Sequence, residues 1–313
     1  MKEATAKQIE KMKEQTIGVE VEMNNITRKE ASRVVAEYFG TGEYKFTDGG
    51  YKTWSAWDSD GREWKFQRDS SIQGDDDQRC ELVTPILRYD DIPTLQEVCR
   101  RLRKAGAKSD ATRGCGVHIH IGADGHTAKT LRTLANIMAG HENLIAEALQ
   151  IDKDRIDRYC RVIHQGFLKE VNKKKPQTME ALKKIWYESQ GSYINTHHYN
   201  ETRYHMLNLH ATFTKGTIEF RLFQFDKPSQ ERRGGIHAGQ LKSYIQFCLA
   251  LSQMAKELTT ASPKPQQHEN PKYAMRTWLL RLGFIGDEFA TAREFLTKNL
   301  YGDTAFRHGR ATA

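Results

Sequence analysis

The chain has 313 residues, which is long enough for one large domain or two smaller ones. Aromatic residues make up 10% of it, which argues against a disordered chain, and no apolar run approaches the roughly 20 residues of a membrane-spanning helix. Its 48 Lys and Arg against 40 Asp and Glu give a net charge of +8, which favours anionic partners such as ATP, nucleic acid, anionic polymers or membrane surfaces.

The cysteines and the start of the chain indicate a cellular compartment. The five cysteines form no CxxC pair and no even disulfide framework, so we interpret them as free thiols in a reducing environment. The start of the chain, up to Thr16, is polar and rich in lysine, unlike a signal peptide. We therefore expect a cytoplasmic protein.

Hydrophobic periodicity and turn residues predict the elements in chain order. The first half is expected to contain a short helix or frayed arm over 2–15, a strand at 16–24, a helix over 28–39, hairpins within 43–68, a strand at 79–84, a helix over 91–104 and a strand at 116–121. The second half is expected to contain helices at 127–150, 153–170 and 178–189, strands at 203–213 and 215–224 joined by a turn, a helix over 230–257, two C-terminal helices and a frayed tail after about 303.

Strands near both ends, with helices inserted between them, favour an α+β fold around a mostly antiparallel sheet with helices packed on one face. The predicted domain organisation is a charged N-terminal arm at 1–15, a catalytic domain over 16–260, and C-terminal helices and tail over 261–313 that pack on this domain.

Four of the predicted strand regions carry ligand-type side chains, in three cases two residues apart. Residues two apart in a strand share one face of the sheet. Such pairs are Glu20 with Glu22, His118 with His120, and Glu219 with Arg221, and Glu81 lies on the remaining strand. If the strands belong to one sheet, carboxylates, imidazoles and an arginine gather on one surface. That surface would suit divalent cations and the phosphates they carry.

The donor types narrow the choice of metal. Magnesium and manganese prefer carboxylate oxygen, and manganese also accepts imidazole. The carboxylates of Glu20, Glu22, Glu81 and Glu219, together with His118, are too hard a donor set for structural zinc. Arginines stabilise the charge of phosphoryl transfer by forked hydrogen bonds, and the candidates are Arg203 and Arg221.

An ordered set of short motifs resembles the amidoligase family. The motifs are Gly18-Val-Glu-Val-Glu22, Asp69-Ser-Ser-Ile72, Glu81-Leu-Val-Thr-Pro-Ile-Leu87, Gly116-Val-His-Ile-His-Ile121, Arg203-Tyr-His-Met-Leu-Asn-Leu209 and Thr217-Ile-Glu-Phe-Arg-Leu222. Enzymes of this family are similar to glutamine synthetase and glutamate–cysteine ligase in their catalytic domain. The resemblance covers residues from about 15 to about 250.

The resemblance implies ATP-dependent joining of a carboxylate to an amine through an acyl phosphate, with Mg²⁺ or Mn²⁺ as the metal. The metal ligands it implies are Glu20, Glu22, Glu81, His118 and Glu219. It assigns phosphate or substrate contacts to His120, Arg203 and Arg221, an ordering role to Asn208, and a substrate or amine position to Asp69. Asp69 has an alternative interpretation as a turn cap before Ser70 and Ser71.

The number of metals, the oligomeric state and the substrates stay open. Glutamine synthetase has further metal carboxylates between its first strand and its histidine strand, whereas this chain offers only Glu81 there. The aromatic-rich segment 44–66 and the basic segment 153–184 match no family motif, and we expect them to set acceptor specificity. Candidate substrates are amino acids, peptides and polyamines, with an acidic or nucleic-acid acceptor as a weaker alternative.

Two rival functions remain. An amidohydrolase-type metal hydrolase also begins with His-x-His, but on its first barrel strand, whereas His118 and His120 follow acidic strands. A non-enzymatic nucleic-acid-binding protein would use a basic face. The residues available for such a face are Arg100, Arg101, Arg103, Lys104, Lys173, Lys174, Lys175, Lys183 and Lys184.

Overall fold

A computed structural model describes residues 2–194, 197, 199–230 and 234–306. Its strands are β1 (Ile17–Met23), β2 (Tyr44–Asp48), β3 (Thr53–Trp57), β4 (Glu63–Gln67), β5 (Cys80–Val83), β6 (Val117–Gly122), β7 (Leu207–Asn208) and β8 (Thr217–Phe223). Its helices are α1 (Lys2–Lys13), α2 (Arg28–Phe39), α3 (Ile92–Lys104), α4 (Ala128–Leu149), α5 (Lys153–Arg158), α6 (Gln165–Lys174), α7 (Met179–Glu188), α8 (His210–Lys215), α9 (Ala238–Glu257), α10 (Pro271–Arg281) and α11 (Ala290–Phe295). The predicted α+β class is confirmed.

The chain divides into two compact units. The strand unit contains residues 16–120 and 223–242. The helix unit contains residues 1–15, 121–222 and 243–313. Of these, residues 1, 195, 196, 198 and 307–313 lie outside the described part, and the last range makes up most of the predicted tail. The domain boundaries inferred from the sequence stay a prediction. No helix in the described ranges is both long enough and apolar enough to cross a membrane.

The strand unit is built on a sheet with the order β2-β3-β4-β5-β1-β6. Strands β2 to β5 pair antiparallel in sequence, and β5 pairs antiparallel with β1, so that Glu22 lies opposite Glu81. On the other side of β1, Glu22 N donates to Gly116 O at 3.0 Å, and Gly18 lies beside His120. Residue numbers therefore run in opposite directions along β1 and β6, so this pair is antiparallel as well.

Alternation along the strands separates the core of the strand unit from its polar face. Val19, Val21 and Ile119 are at most 1% exposed and point away from the glutamates and histidines between them. Burying each such side chain stabilises the fold by about 1.5–3 kcal/mol. Helix α2 packs on β3 and on α3, begins at a Thr27 cap and ends at Gly40, whose φ of 72° suits glycine.

The helix unit has a core of aromatic and aliphatic side chains from α4, α6 and α7. Phe167 and Trp186 meet edge-to-face with ring centroids 4.9 Å apart, and both are buried. The continuous helix predicted over 153–170 is wrong, because α5 ends at Arg158 and α6 starts only at Gln165. The ring of His164 caps α6 by accepting a hydrogen bond from Phe167 N.

The strand predicted over 203–213 is also wrong. Strand β7 has only two residues, and α8 takes the place of the end of the predicted strand and the start of the predicted turn at 214–216. The side chain of Asn208 explains the switch, since its Oδ1 accepts hydrogen bonds from the backbone of His210 at 2.8 Å and Ala211 at 3.4 Å. These bonds start a helical turn, which ends at Gly216 with a φ of 70°.

Glu142 in α4 gives the helix unit a testable pH dependence. Its carboxylate accepts a hydrogen bond from Ile163 N at 2.7 Å, and burial raises its pKa from 4.5 to about 7. The folded chain therefore binds a proton between about pH 4.5 and 7 that the unfolded chain has released, so this contribution to stability falls as the pH rises through that range.

We expect Glu142→Gln to remove this dependence while keeping an oxygen for Ile163 N. Across the range the unfolding free energy of the wild type should fall relative to the variant by at most about 3 kcal/mol. Urea unfolding of both proteins at pH 5 and pH 8 measures this difference. A constant difference between the two proteins would show that Glu142 does not titrate in this way.

Candidate functional site

Glutamates and histidines of the strand unit converge on one face of its sheet. Glu20 and Glu22 project from β1 on the same side, and Glu81 faces Glu22 from β5. His118 lies beside Glu20 on the other flank of β1. Glu22, Glu81 and His118 are each 4% exposed, so the polar face is buried. We call Glu20, Glu22, Asp69, Glu81, His118 and His120 the acidic cluster.

Hydrogen bonds and close charge contacts connect the members from β1 and β6. His118 Nδ1 lies 2.9 Å from Glu20 Oε2, and His118 Nε2 lies 3.7 Å from Glu22 Oε1. His120 Nε2 lies 3.3 Å from Glu20 Oε1. Gly116 N donates to Glu22 Oε2 at 2.6 Å. Glu20 is therefore in contact with both imidazoles.

Two carboxylates of the acidic cluster have pKa values shifted in opposite directions. Burial opposes ionisation of Glu20, but the charges and hydrogen bonds of His120 and His118 bring its pKa well below the usual range. Burial, followed by the nearby charges of Glu20, Asp69 and Glu22, raises the pKa of Glu81 well above its usual range. So many buried acids at short range repel one another unless a cation neutralises them.

Two side chains next to Glu81 show what sequence reasoning anticipated and what it missed. Asp69 Oδ1 accepts hydrogen bonds from Ser71 N at 2.6 Å and Ser71 Oγ at 2.7 Å, so it is a turn cap as the alternative interpretation held. It still belongs to the acidic cluster. Gln67 Nε2 donates to Glu81 Oε2 at 2.7 Å and was not identified from the sequence. In the sequence, the only indication of a role for Gln67 is its position two residues before Asp69.

Two overlapping sets within the acidic cluster have the donors for divalent cations. Glu20, Glu81 and His118 offer ligand atoms within 4.8 Å of one another, and so do Glu22, Asp69 and Glu81. Glu81 is common to both sets. Carboxylate oxygens with one imidazole fit Mg²⁺ or Mn²⁺ better than zinc or copper.

Gly18 provides the space for His120. A Cβ at this position would lie 3.3 Å from His120 Cβ, which is closer than ordinary packing allows. We expect Gly18→Ala to displace the imidazole by a few tenths of an ångström and to lower any turnover that uses His120 about tenfold. Gly49→Ala is the matched control, because a Cβ there meets nothing within 4 Å. Equal turnover of the two variants would show that the position of His120 is not critical.

The remaining predicted site residues lie in the helix unit. Asn208 Nδ2 donates to Glu219 Oε2 at 2.6 Å across the β7–β8 pair, and Arg221 forms an ion pair with Glu219 Oε1. All three side chains are buried. The ring of Tyr204 lies 5.6 Å from the Arg203 guanidinium carbon and 5.7 Å from that of Arg221, a cation–π distance.

A small cavity of about 210 Å³ adjoins these residues. Arg203, Asn208 and Glu219 line it, together with His210 and Lys215 of α8. Sequence reasoning missed His210 and Lys215 because it placed them in a strand and a turn. The imidazole of His210 is held by Tyr187, whose hydroxyl lies 2.6 Å from His210 Nδ1.

Comparison with known proteins identifies the family. The family model described as "Putative amidoligase enzyme" matches residues 13–252, most of the chain. The chain belongs to this amidoligase family. The resemblance inferred from the sequence motifs is thereby confirmed at the level of the family.

Comparisons with solved structures and with curated proteins add little information about function. A bifunctional glutathione synthetase from Pasteurella multocida has a similar structure at 13% sequence identity and a TM-score of 0.41, over 95% of this chain and 48% of that chain. The chain thus spans about half the length of that protein, and a likeness this weak carries no argument. No curated protein matches the chain significantly.

Proposed function

We propose that this amidoligase is an ATP- and Mg²⁺- or Mn²⁺-dependent carboxylate–amine ligase with a glutamine synthetase-like catalytic domain. The observation that carries the proposal is the acidic cluster, in which carboxylates and imidazoles from separate strands lie within ligand distance on one buried face. Family membership supports the same reaction class.

Glu20, Glu22, Glu81 and His118 would hold the metal ions, and Glu219 is proposed as a further ligand. The donor set fits these ions because carboxylate oxygens dominate it. Burial, followed by the charges of neighbouring carboxylates, raises the pKa of Glu81, and a bound cation would counteract this rise. When bound, the metals neutralise charge on the phosphates of ATP.

Arginines and a carboxylate complete the proposed chemistry. Arg203, which lines the small cavity, and Arg221, which is buried, would donate charge-assisted hydrogen bonds to phosphate oxygens. His120 contacts phosphate or the substrate carboxylate, and Asn208 keeps Glu219 oriented. Asp69 attracts the substrate ammonium and takes its proton before the amine attacks the acyl phosphate.

The rival functions have less support. An amidohydrolase-type zinc site would favour more imidazole among its ligands than this cluster supplies. For a nucleic-acid-binding face, several basic side chains are engaged on their own helices: Arg100 and Arg101 with Glu97, and Lys174 with Glu170. Zinc-dependent hydrolysis without ATP would favour the first, and polynucleotide binding that weakens steeply with salt would favour the second.

Isothermal titration tests the proposal directly. ATP should bind only when Mg²⁺ or Mn²⁺ is present, and a screen of amino acids, peptides and amines should reveal ADP release together with a condensed product by mass spectrometry. Lys264→Ala, a change of an exposed lysine outside the segments 44–66 and 153–184, should leave this turnover unchanged. A well-folded sample that binds no ATP at millimolar metal would overturn the proposal.

A further inference from the structure

The helix unit contains a second, larger cavity of about 800 Å³. Its lining comes from the end of α5, the 161–165 segment that leads into α6, and the segments 190–193 and 201–205. Pockets of this size bind ligands larger than a single amino acid. The cavity overlaps the basic segment 153–184, for which the sequence suggested a role in acceptor specificity. We call it the 156–205 cavity.

Buried hydrogen bonds hold the walls of the 156–205 cavity in place. His205 is 3% exposed, and its Nδ1 lies 2.8 Å from Val162 O on the opposite segment. Trp186 Nε1 donates to Thr202 Oγ1 at 3.0 Å. A Cβ at Gly166 would lie 2.8 Å from Ser189 O, so α6 begins in close contact with the end of α7. The cavity is therefore preformed.

Charged side chains of both signs line the 156–205 cavity. Arg161 donates from Nε to Tyr204 O at 3.3 Å and from Nη2 to Glu201 O at 3.2 Å, which fixes its guanidinium against the 201–204 turn. Within the described ranges no carboxylate forms an ion pair with Arg161. Asp157 and Glu201 add two exposed carboxylates. A ligand with a carboxylate group could pair with Arg161, and an ammonium group on the same ligand could pair with Asp157 and Glu201.

The 156–205 cavity and the small cavity of about 210 Å³ take lining residues from the same short turn. Glu201, Thr202 and His205 line the large cavity, whereas Arg203, within the same short turn, lines the small one with Glu219. A ligand in the large cavity is thus separated by a single turn of backbone from the arginine that we assign to phosphate.

We propose that the 156–205 cavity binds the amine substrate, and that this substrate is a short peptide with a free amino group and a free carboxylate. The inference rests on the proposed ligase function. Arg161 binds the peptide carboxylate, which does not react, and Asp157 and Glu201 attract the ammonium. The ammonium then gives up a proton to the carboxylate of Asp69, the base of the proposed ligase reaction. The resulting amine nitrogen attacks the acyl-phosphate carbon. The new C–N bond forms as the C–O bond to phosphate breaks, and inorganic phosphate leaves.

Binding measurements without ATP test the cavity separately from the reaction. The probes are the tripeptide Ala-Gly-Glu, the same tripeptide with both carboxylates amidated, and spermidine. We expect the free tripeptide to bind at least about tenfold more tightly than the amidated one, because a forked contact to Arg161 is lost. Arg161→Ala should abolish this difference, whereas Arg158→Ala, an exposed arginine of α5 outside the cavity lining, should preserve it.

A second variant guards against a folding defect in Arg161→Ala. Val162 is 41% exposed and lines the cavity, so Val162→Trp should occlude the cavity without introducing a charged group. This variant should lose tripeptide binding and keep metal-dependent ATP binding. Tighter binding of spermidine than of the tripeptide, or no tripeptide binding by folded wild type, would overturn the inference. If the folded wild type binds no ATP in the presence of Mg²⁺ or Mn²⁺, the proposed function is overturned instead.

Discussion

His118→Ala is expected to weaken Mn²⁺ binding about a hundredfold and to reduce metal-dependent ADP release by roughly a thousandfold. The imidazole of His118 lies 2.9 Å from Glu20 and belongs to one of the two metal-type sets. Its removal therefore takes away one proposed metal ligand and also the hydrogen bond that orients Glu20, a second proposed ligand. Titration calorimetry with Mn²⁺ and a coupled ADP assay measure the two effects.

The control for this prediction is another histidine. His268 is half-buried in the helix unit and belongs to none of the metal-type sets, so His268→Ala should leave both measurements unchanged. Circular dichroism should show that each variant is folded. If His118→Ala keeps wild-type metal affinity and turnover, His118 is not a metal ligand.

Glu219→Gln and Glu219→Ala are expected to separate charge from packing. Both variants should lose ADP release at least about a hundredfold, since neither offers a carboxylate. Glu219→Ala should in addition lower the free energy of unfolding by about 3 kcal/mol, because the buried Arg221 loses the carboxylate with which it pairs. Glu219→Gln retains an oxygen and the side-chain volume, so its stability should change less. Urea unfolding and the ADP assay distinguish the two effects.

A surface ion pair provides the comparison for stability. Glu37 pairs with Arg33 on α2, and its side chain is 57% exposed, so Glu37→Ala should change the free energy of unfolding by less than about 1 kcal/mol. If Glu219→Ala is no more destabilising than Glu37→Ala, the buried pair contributes little. If Glu219→Gln keeps full activity, the negative charge of Glu219 is not needed for the reaction.

The sequence by itself determined the local elements with strong periodicity and the side chains that share a strand face. The alternation of Glu20 and Glu22 with apolar neighbours predicted β1, and the apolar spacing before Gly40 predicted α2. The ordered motifs also identified the family. These features depend on residues close together in the chain, where a period of two or of about 3.6 is visible without knowledge of the fold.

Only the tertiary structure decided which separate strands meet and where local signals fail. Gln67 reaches Glu81 because β4 and β5 pair in one register, and a one-residue slip would turn it to the other face. The helix α8 replaces part of a predicted strand because the side chain of Asn208 accepts hydrogen bonds from the backbone amides of His210 and Ala211. The 156–205 cavity is formed by segments up to about fifty residues apart, which side-chain contacts such as His205 to Val162 hold together. Contacts of this kind depend on how distant segments pack together, and the spacing of residues along the sequence does not reveal that packing.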